Sequence, residues 1–193
     1  MASTSTATFE SASRVKPERS SARSEQEDAF LSMLEDQRGR IMRLCQAYAE
    51  HEAAAQDLFQ EVVVQLWRAE GGYRRAASRT TWVYRITLNV CLRAHKKINR
   101  RARERTALEG LAFEPPGPDP QAPAEEAEAR RLLYHCIRAL PSSERPVITL
   151  FLEGLPYKQI ARVTGLTENH VAVKVKRIKK KLYHCLKDQG YER

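Results

Sequence analysis

Apolar residues recur three or four positions apart along most of the chain, which is the spacing of one face of an α-helix. In the segment AAQDLFQEVVVQLWRA, Leu58, Val62 and Leu66 follow each other at intervals of four. Similar stripes run through residues 30–48 and 82–90, and they resume after the proline-rich part of the chain. This pattern predicts an all-α protein built from amphipathic helices.

Prolines and small polar residues divide the chain into four segments. Residues 1–24 are rich in serine, threonine, alanine and arginine and are expected to form a disordered tail. Residues 25–105 are expected to form a first helical domain, and residues 125–187 a second. The segment 106–124 holds five prolines between residues 115 and 123, as a flexible linker does. The expected architecture is two small helical domains joined by a proline-rich linker.

The stretch VAVKVKRIKKK, which ends at Lys181, fits either a half-buried strand or a helix with a cationic face. The preceding residues favour the helix, because Ala161 is followed by Gly165 after four positions and by Val171 after six more. This is the spacing of a helix-turn-helix, in which the glycine supplies a left-handed turn residue. Thr167 is then placed to cap the second helix. The inward face of that helix is predicted to be Val171, Val175, Ile178 and Leu182.

The charge balance of the chain indicates a polyanionic partner. The chain carries 33 Lys and Arg against 24 Asp and Glu, a net charge of +9. Six of the eight residues from Lys174 to Lys181 are cations on the second helix of the helix-turn-helix, which is the helix that enters the major groove of DNA in such motifs. The base-reading residues are expected in its first turns: Glu168, Asn169, His170, Val173, Lys174 and Arg177.

A second run of cations, residues 93–105, ends the first helical domain. Trp82, Tyr84 and Asn89 lie earlier on the same predicted helix, and Tyr73 lies just before it. Cations interleaved with aromatic rings suit single-stranded DNA, because bases stack on the rings while the cations hold the phosphates. The alternative is that Trp82 packs in the core and the cations are solvated.

The four cysteines lie far apart and form no Cys-x-x-Cys pair. A disulfide framework is therefore not expected. The triplet Tyr-His-Cys occurs twice, ending at Cys136 and at Cys185. Adjacent helical residues point about 100° apart, so the triplets are poorly arranged to share a zinc ion. We expect both cysteines to be small core residues.

The sequence offers no catalytic or cofactor-binding pattern. Its five histidines are scattered, and it has neither a glycine-rich phosphate loop nor an HExxH motif. We therefore expect neither an enzyme nor a cofactor. No stretch reaches the roughly 18 apolar residues that a membrane span needs, and the N-terminus has no signal-peptide pattern. A cytoplasmic protein without a membrane span is expected.

Two blocks of the sequence together resemble one family. QDLFQEVVVQLWRA and RTTWVYRITLNVCLRAHKK resemble region 2 of bacterial sigma factors. The block LPSSERPVITLFLEGLPYKQIARVTGLTENHVAVKVKRIKKKL resembles their region 4. A helical pair on a proline-rich linker, without regions 1.1 and 3, is similar to the extracytoplasmic-function (ECF) subfamily of the sigma-70 family.

The resemblance implies a transcription initiation factor that binds the core of RNA polymerase and promoter DNA. Residues implied to bind the clamp helices of the polymerase β′ subunit are Asp57, Gln60, Glu61, Leu66 and Trp67. Residues implied to open and capture the −10 element are Tyr73, Arg75, Arg79, Thr81, Trp82, Arg85, Asn89, Arg93, Lys96 and Lys97. Region 4 is implied to dock on the β flap. It would hold the −35 element as duplex through Thr167, Glu168, Asn169, His170, Val173, Lys174, Lys176, Arg177 and Lys180.

The sequence departs from the family pattern at the polymerase-binding helix. Family members usually carry Asp-Ala-Glu-Asp, where this chain has Ala54-Ala55-Gln56-Asp57. Two negative charges are thus missing where the partner helices are expected to be basic. A modifying enzyme, for example one that phosphorylates a nearby hydroxyl, is one hypothesis for their replacement. An anti-sigma factor is a further expected partner.

Two other functions each fit part of the sequence. An ordinary helix-turn-helix regulator would account for the second domain but not for the segment from Asp57 to Trp67. An RNA-binding adaptor would account for the charge. Duplex binding without polymerase would favour the first of these, and RNA binding without promoter preference the second.

Overall fold

The protein is described by a computed structural model over residues 18–73, 78–105 and 124–191. These residues form seven α-helices and no strand, which confirms the all-α prediction. The helices are α1 (Glu18–Gln46), α2 (Glu52–Glu70), α3 (Arg79–Arg105), α4 (Ala124–Ala139), α5 (Arg145–Leu152), α6 (Tyr157–Thr164) and α7 (Glu168–Asp188).

The first domain consists of α1, α2 and α3, which all pack against one another. Helix α1 begins at Glu18, seven residues before the expected start of the domain, while residues 1–17 lie outside the described part of the chain. The predicted stripe of α2 is inward, because Val62 and Leu66 are fully buried and Leu58 packs against the same core. The His51 side chain begins α2 by accepting a hydrogen bond from the Ala54 amide.

The second domain consists of α4 to α7 and contains the predicted helix-turn-helix. Gly165 caps the C-terminal end of α6, and its φ of 75° is the left-handed conformation that favours glycine. The Thr167 hydroxyl then accepts a hydrogen bond from the His170 amide and caps α7. All four predicted inward residues of α7 are buried, so the strand interpretation of this segment is excluded.

The expectation for two of the cysteines was wrong. Cys136 on α4 and Cys185 on α7 are joined by a disulfide, with their Cα atoms 5.9 Å apart. The two residues are 49 positions apart in sequence, and they meet only because α4 packs along α7. Cys45 and Cys91 are free thiols buried in the first domain.

Two described helices flank the predicted linker, which the sequence placed at residues 106–124. Helix α3 ends at Arg105 and α4 begins at Ala124. Residues 106–123 lie outside the described part of the chain, so the flexible linker stays a prediction. None of the described helices is both long enough and apolar enough to span a membrane.

Candidate nucleic-acid interface

The N-terminal half of α7 presents the predicted duplex-reading residues on one side. Six of the nine predicted residues line a groove of about 430 Å³. Its lining is Glu144, Thr167, Asn169, His170, Val173, Lys174 and Arg177. Glu168, Lys176 and Lys180 are exposed on the same helix but outside the groove. These side chains are therefore available to DNA, whose major groove is wide enough to admit an α-helix.

Glu144 is a groove residue that the sequence did not suggest. It lies before α5, and its carboxylate accepts two hydrogen bonds from the Lys181 ammonium, at 2.7 and 2.8 Å. Lys181 thus neutralises a negative charge that would repel phosphate. Lys179 lies 5.7 Å from the centre of the Phe151 ring, in a cation–π contact. These two lysines interact within the domain, which leaves the other cations of the run for a ligand.

The start of α3 carries a cluster of aromatic and cationic side chains. The rings of Tyr73 and Trp82 lie with centroids 5.2 Å apart, and the Arg79 guanidinium lies 5.5 Å from the Tyr73 ring centre. Arg79 is held there by an ion pair with Glu70 at the end of α2. Trp82 is partly buried and packs against the core as well as facing Tyr73. The cluster resembles the stacking platforms on which single-stranded bases bind.

The remaining predicted residues of this surface fall into three groups. An exposed row along α3 consists of Arg85, Asn89, Arg93, Lys96 and Lys97. Thr81 is buried, and its hydroxyl lies 2.8 Å from the Ser78 hydroxyl, so it supports the start of the helix. Arg75 lies outside the described residues.

Helix α2 presents a separate acidic and aromatic surface. Asp57, Gln60 and Glu61 are exposed, and Trp67 is 40% exposed with its ring edge-on to Phe30 at 5.0 Å. Leu66 is fully buried in the domain core and contributes no exposed surface. A partner that docks on α2 would therefore contact an acidic row ending in an indole ring.

The two domains pack against each other along a surface that we call the seam. Arg43 of α1 forms two hydrogen bonds with the Glu153 carboxylate, just after α5, at 2.7 and 2.8 Å. The Glu153 side chain is 7% exposed and the Arg43 side chain 49% exposed. Burial, together with the negative charge of Glu153, raises the pKa of the neighbouring Tyr84 phenol to about 12.

A second contact of the seam centres on Arg145, a buried residue at the start of α5. One of its guanidinium nitrogens donates to the carbonyl oxygens of Arg138 and Leu140, and another lies 3.4 Å from His95 Nδ1 on α3. The guanidinium also lies over the Tyr48 ring, 5.4 Å from its centre. Burial, and then the nearby charge of Arg145, lower the pKa of His95.

Sequence reasoning missed the seam for a clear reason. Arg43 and Glu153 are 110 positions apart, and neither lies in a motif that points to the other. The sequence does contain one indication, which is Arg145 directly before Pro146 at the start of a helix. A cation is unfavourable there because the N-terminal end of the helix dipole is positive. Such a residue needs acceptors from outside its own helix.

Two family models match the chain. The model for Sigma-70 region 2 matches residues 33–101, and the model for Sigma-70, region 4 matches residues 130–182. The first match contains the surfaces of α2 and α3, and the second contains the helix-turn-helix.

The curated relatives that the chain matches are also RNA polymerase sigma factors. The chain is 27% identical over 151 residues to the "Probable RNA polymerase sigma factor RfaY" of Xanthomonas campestris pv. campestris, over 72% of this chain and 38% of that protein. It is 30% identical over 115 residues to the ECF RNA polymerase sigma-E factor of Escherichia coli K12, over 55% of this chain and 60% of that protein. The matched part thus spans less than two thirds of either relative.

Two solved structures share the fold. The sigma factor RpoE of Bartonella quintana, in complex with the anti-sigma factor NepR, has a TM-score of 0.63 at 16% identity, over 82% of this chain and 97% of that one. CnrH, in complex with the cytosolic domain of CnrY, has a TM-score of 0.62 at 20% identity, over 88% of this chain and 94% of that one.

Proposed function

Because the chain belongs to the sigma-70 family, with its regions 2 and 4, we propose that it is a transcription initiation factor of the ECF type. It binds core RNA polymerase and directs it to promoters, and it performs no chemistry itself. Its place of action is then the cytoplasm, where polymerase and DNA are. The observation that carries this proposal is the pairing of two exposed cationic helices, α3 and α7, in two domains of one chain.

Region 4 reads the −35 element as duplex through α7. Its first turns carry amide, imidazole, cationic and methyl groups, which suit the base edges of the major groove. Val173 is 41% exposed and faces outward, where it can meet a thymine methyl group. The cations nearer the middle of α7 hold phosphates, which position the helix without carrying sequence information.

Region 2 captures the −10 element as a single strand on α3. The Tyr73–Trp82 cluster supplies rings for an unstacked base, and the exposed row from Arg85 to Lys97 follows the backbone. Binding energy gained on an extruded base offsets the cost of unpairing it, which is a few kcal/mol. Opened DNA is thereby stabilised for polymerase.

Core binding uses the exposed row of α2, with Asp57, Gln60, Glu61 and Trp67 facing the β′ clamp helices, while region 4 docks on the β flap. Ala54 and Gln56 leave this row less acidic than is usual in the family. A weaker unassisted affinity for core follows, since opposite charges steer and strengthen such encounters. A modification, or release from an anti-sigma factor such as the one bound to RpoE in the related structure, would then control activity.

The seam has to open for both promoter elements to be bound together. Elements near −35 and −10 lie about 25 base pairs apart, which is roughly 85 Å of duplex at about 3.4 Å per pair. In the closed form α6 of region 4 packs directly against α3 of region 2. The 18 residues of segment 106–123 give the tether a maximum reach of roughly 60 Å, so the two domains themselves have to cover the rest of the distance.

In-vitro transcription with purified core polymerase on a promoter library tests the proposal. We expect discrete start sites that appear only when the protein is added. Asn169→Ala and Arg177→Ala should reduce transcription from promoters with an intact −35 element. Tyr183→Ala is the matched control, because Tyr183 is exposed on the same helix but beyond the groove.

Other outcomes separate the alternatives. Salt-dependent duplex binding without any association with core would identify an ordinary helix-turn-helix regulator. Preferential binding to RNA without promoter preference would identify an RNA-binding adaptor. Failure to bind core by both the wild type and the variant with acids restored at positions 54 and 56 would overturn the proposal.

A further inference from the structure

We propose that Cys136 and Cys185 form a reversible redox modification site that locks α4 onto the DNA-reading helix α7. The two repeated Tyr-His-Cys triplets of the sequence meet at this pair. The inference rests on the proposed function in one respect. A polymerase-binding factor works in a compartment that keeps thiols reduced, and disulfides found there are usually transient and redox-sensing.

The chain contains an internal comparison that sets this pair apart. Cys45 and Cys91 also adjoin each other, but both are fully buried and remain thiols. The neighbouring Cys45 thiol, and then burial, raise the pKa of Cys91, so this thiol stays protonated and unreactive. Cys185 is only partly buried, whereas Cys136 is 1% exposed. An oxidant therefore reaches Cys185 and not the pair in region 2.

The oxidant is a hydroperoxide, with hydrogen peroxide as its simplest member. The Cys185 thiolate attacks one peroxide oxygen, which gives a sulfenic acid and one water after protonation. The Cys136 thiol then attacks the sulfenic sulfur, and its proton leaves with the displaced hydroxide as a second water. Two thiols have lost two electrons in total, and the peroxide has accepted both. A dithiol reductant reverses the change by thiol–disulfide exchange.

The bond stabilises region 4 without covering its reading face. It closes a loop across 49 positions, which removes conformational freedom from the unfolded chain. Cys185 lies twelve residues beyond Val173 on α7, roughly 18 Å along the helix at ~1.5 Å per residue. The lock thus holds the far end of α7, while the groove near Thr167 stays open.

Thiol counting and thermal melting of the full chain test the proposal, with hydrogen peroxide and dithiothreitol as probes. We expect four reactive thiols under denaturation after reduction and two after treatment with about one equivalent of peroxide. Mass spectrometry should find a peptide pair linking Cys136 to Cys185. The melting temperature of the oxidised protein should rise by on the order of 10 °C and fall back on reduction.

Cysteine variants test which residues form the disulfide, and their readouts do not require transcription. Cys185→Ser, at a partly buried position, should abolish both the loss of thiols and the gain in melting temperature. Cys91→Ala is the matched control and should leave both intact. Persistence of four thiols, a link between Cys45 and Cys91, an unchanged melting temperature or a bond that resists reduction would each overturn the proposal. Failure of the transcription assay would not alter these readouts, so the two proposals fail separately.

Discussion

The ion pair between Arg43 and Glu153 offers a direct test of what holds regions 2 and 4 together. Arg43→Ala would leave the Glu153 carboxylate, which is 7% exposed, without its cation. Removing one partner of a buried pair costs roughly 3–5 kcal/mol, whereas an exposed pair contributes roughly 0–1 kcal/mol. Because Arg43 is 49% exposed and its charge is screened by solvent, we expect a loss of about 2 kcal/mol in the free energy that keeps the seam closed.

This loss should appear in binding to polymerase. At ~1.4 kcal/mol per factor of ten, about 2 kcal/mol raises the ratio of open to closed molecules by about 30-fold. A partner that binds only the open form has its apparent affinity reduced by the open fraction, so Arg43→Ala should bind core polymerase more tightly, by up to about 30-fold. Fluorescence titration with core measures the affinity. Small-angle scattering should show a larger radius of gyration for the variant.

A second arginine–glutamate pair provides the control. Arg131 pairs with Glu128 within α4, and both side chains are well exposed. Arg131→Ala should therefore match the wild type in both assays. A double-mutant cycle with Glu153→Gln should give a non-additive effect, since Arg43 and Glu153 act as one unit. Equal behaviour of Arg43→Ala and Arg131→Ala would refute the assigned role of the seam.

Three further changes probe the polymerase surface, the seam and region 4. Restoring the acids with Ala54→Asp and Gln56→Glu should increase the affinity for core polymerase in the same titration. An unchanged affinity would show that the missing charges do not weaken core binding. Burial, and then the charge of Arg145, lower the pKa of His95 in the folded protein, so the folded form binds this proton less readily than the unfolded chain. The free energy of unfolding should therefore fall as the pH drops below about 6.5. Between pH 5 and 7.5, the melting temperature of His95→Gln should change less with pH than that of the wild type. Ile178→Ala should cost about 3 kcal/mol in denaturant unfolding, while Val173→Ala, on the exposed side of α7, should stay within about 0.5 kcal/mol and weaken only −35 binding.

The helix-turn-helix was predictable because its determinants are local. Gly165 fixes the turn by its own conformation, and Thr167 caps α7 through an amide three residues away. The apolar period of α7 then decides which residues face inward. Each feature depends on chain neighbours, so a single sequence is sufficient to identify it.

The seam and the disulfide depend instead on how helices are placed in three dimensions. The Cys136–Cys185 bond requires that α4 lie along α7 at one register, and no spacing along the chain encodes that distance. Leu66 shows the same limit from the other side. The resemblance implies a place for it on the polymerase surface, whereas its side chain is fully buried in the core of the first domain. Which side of a helix faces a neighbour is decided by all the helices together.

The closed seam limits the distance between the groove of α7 and the cationic row of α3, but it covers neither surface. The groove of α7 and the cationic row of α3 are both exposed while the seam is closed, so either could meet DNA alone. The closed form cannot bind both elements on one duplex, because they lie roughly 85 Å apart. If the protein binds promoters as proposed, opening the seam would convert two independent contacts with DNA into one linked contact with a high effective concentration. The disulfide joins two helices of region 4 and forms no bond across the seam, so oxidation should stabilise the reading domain without tying the two regions together.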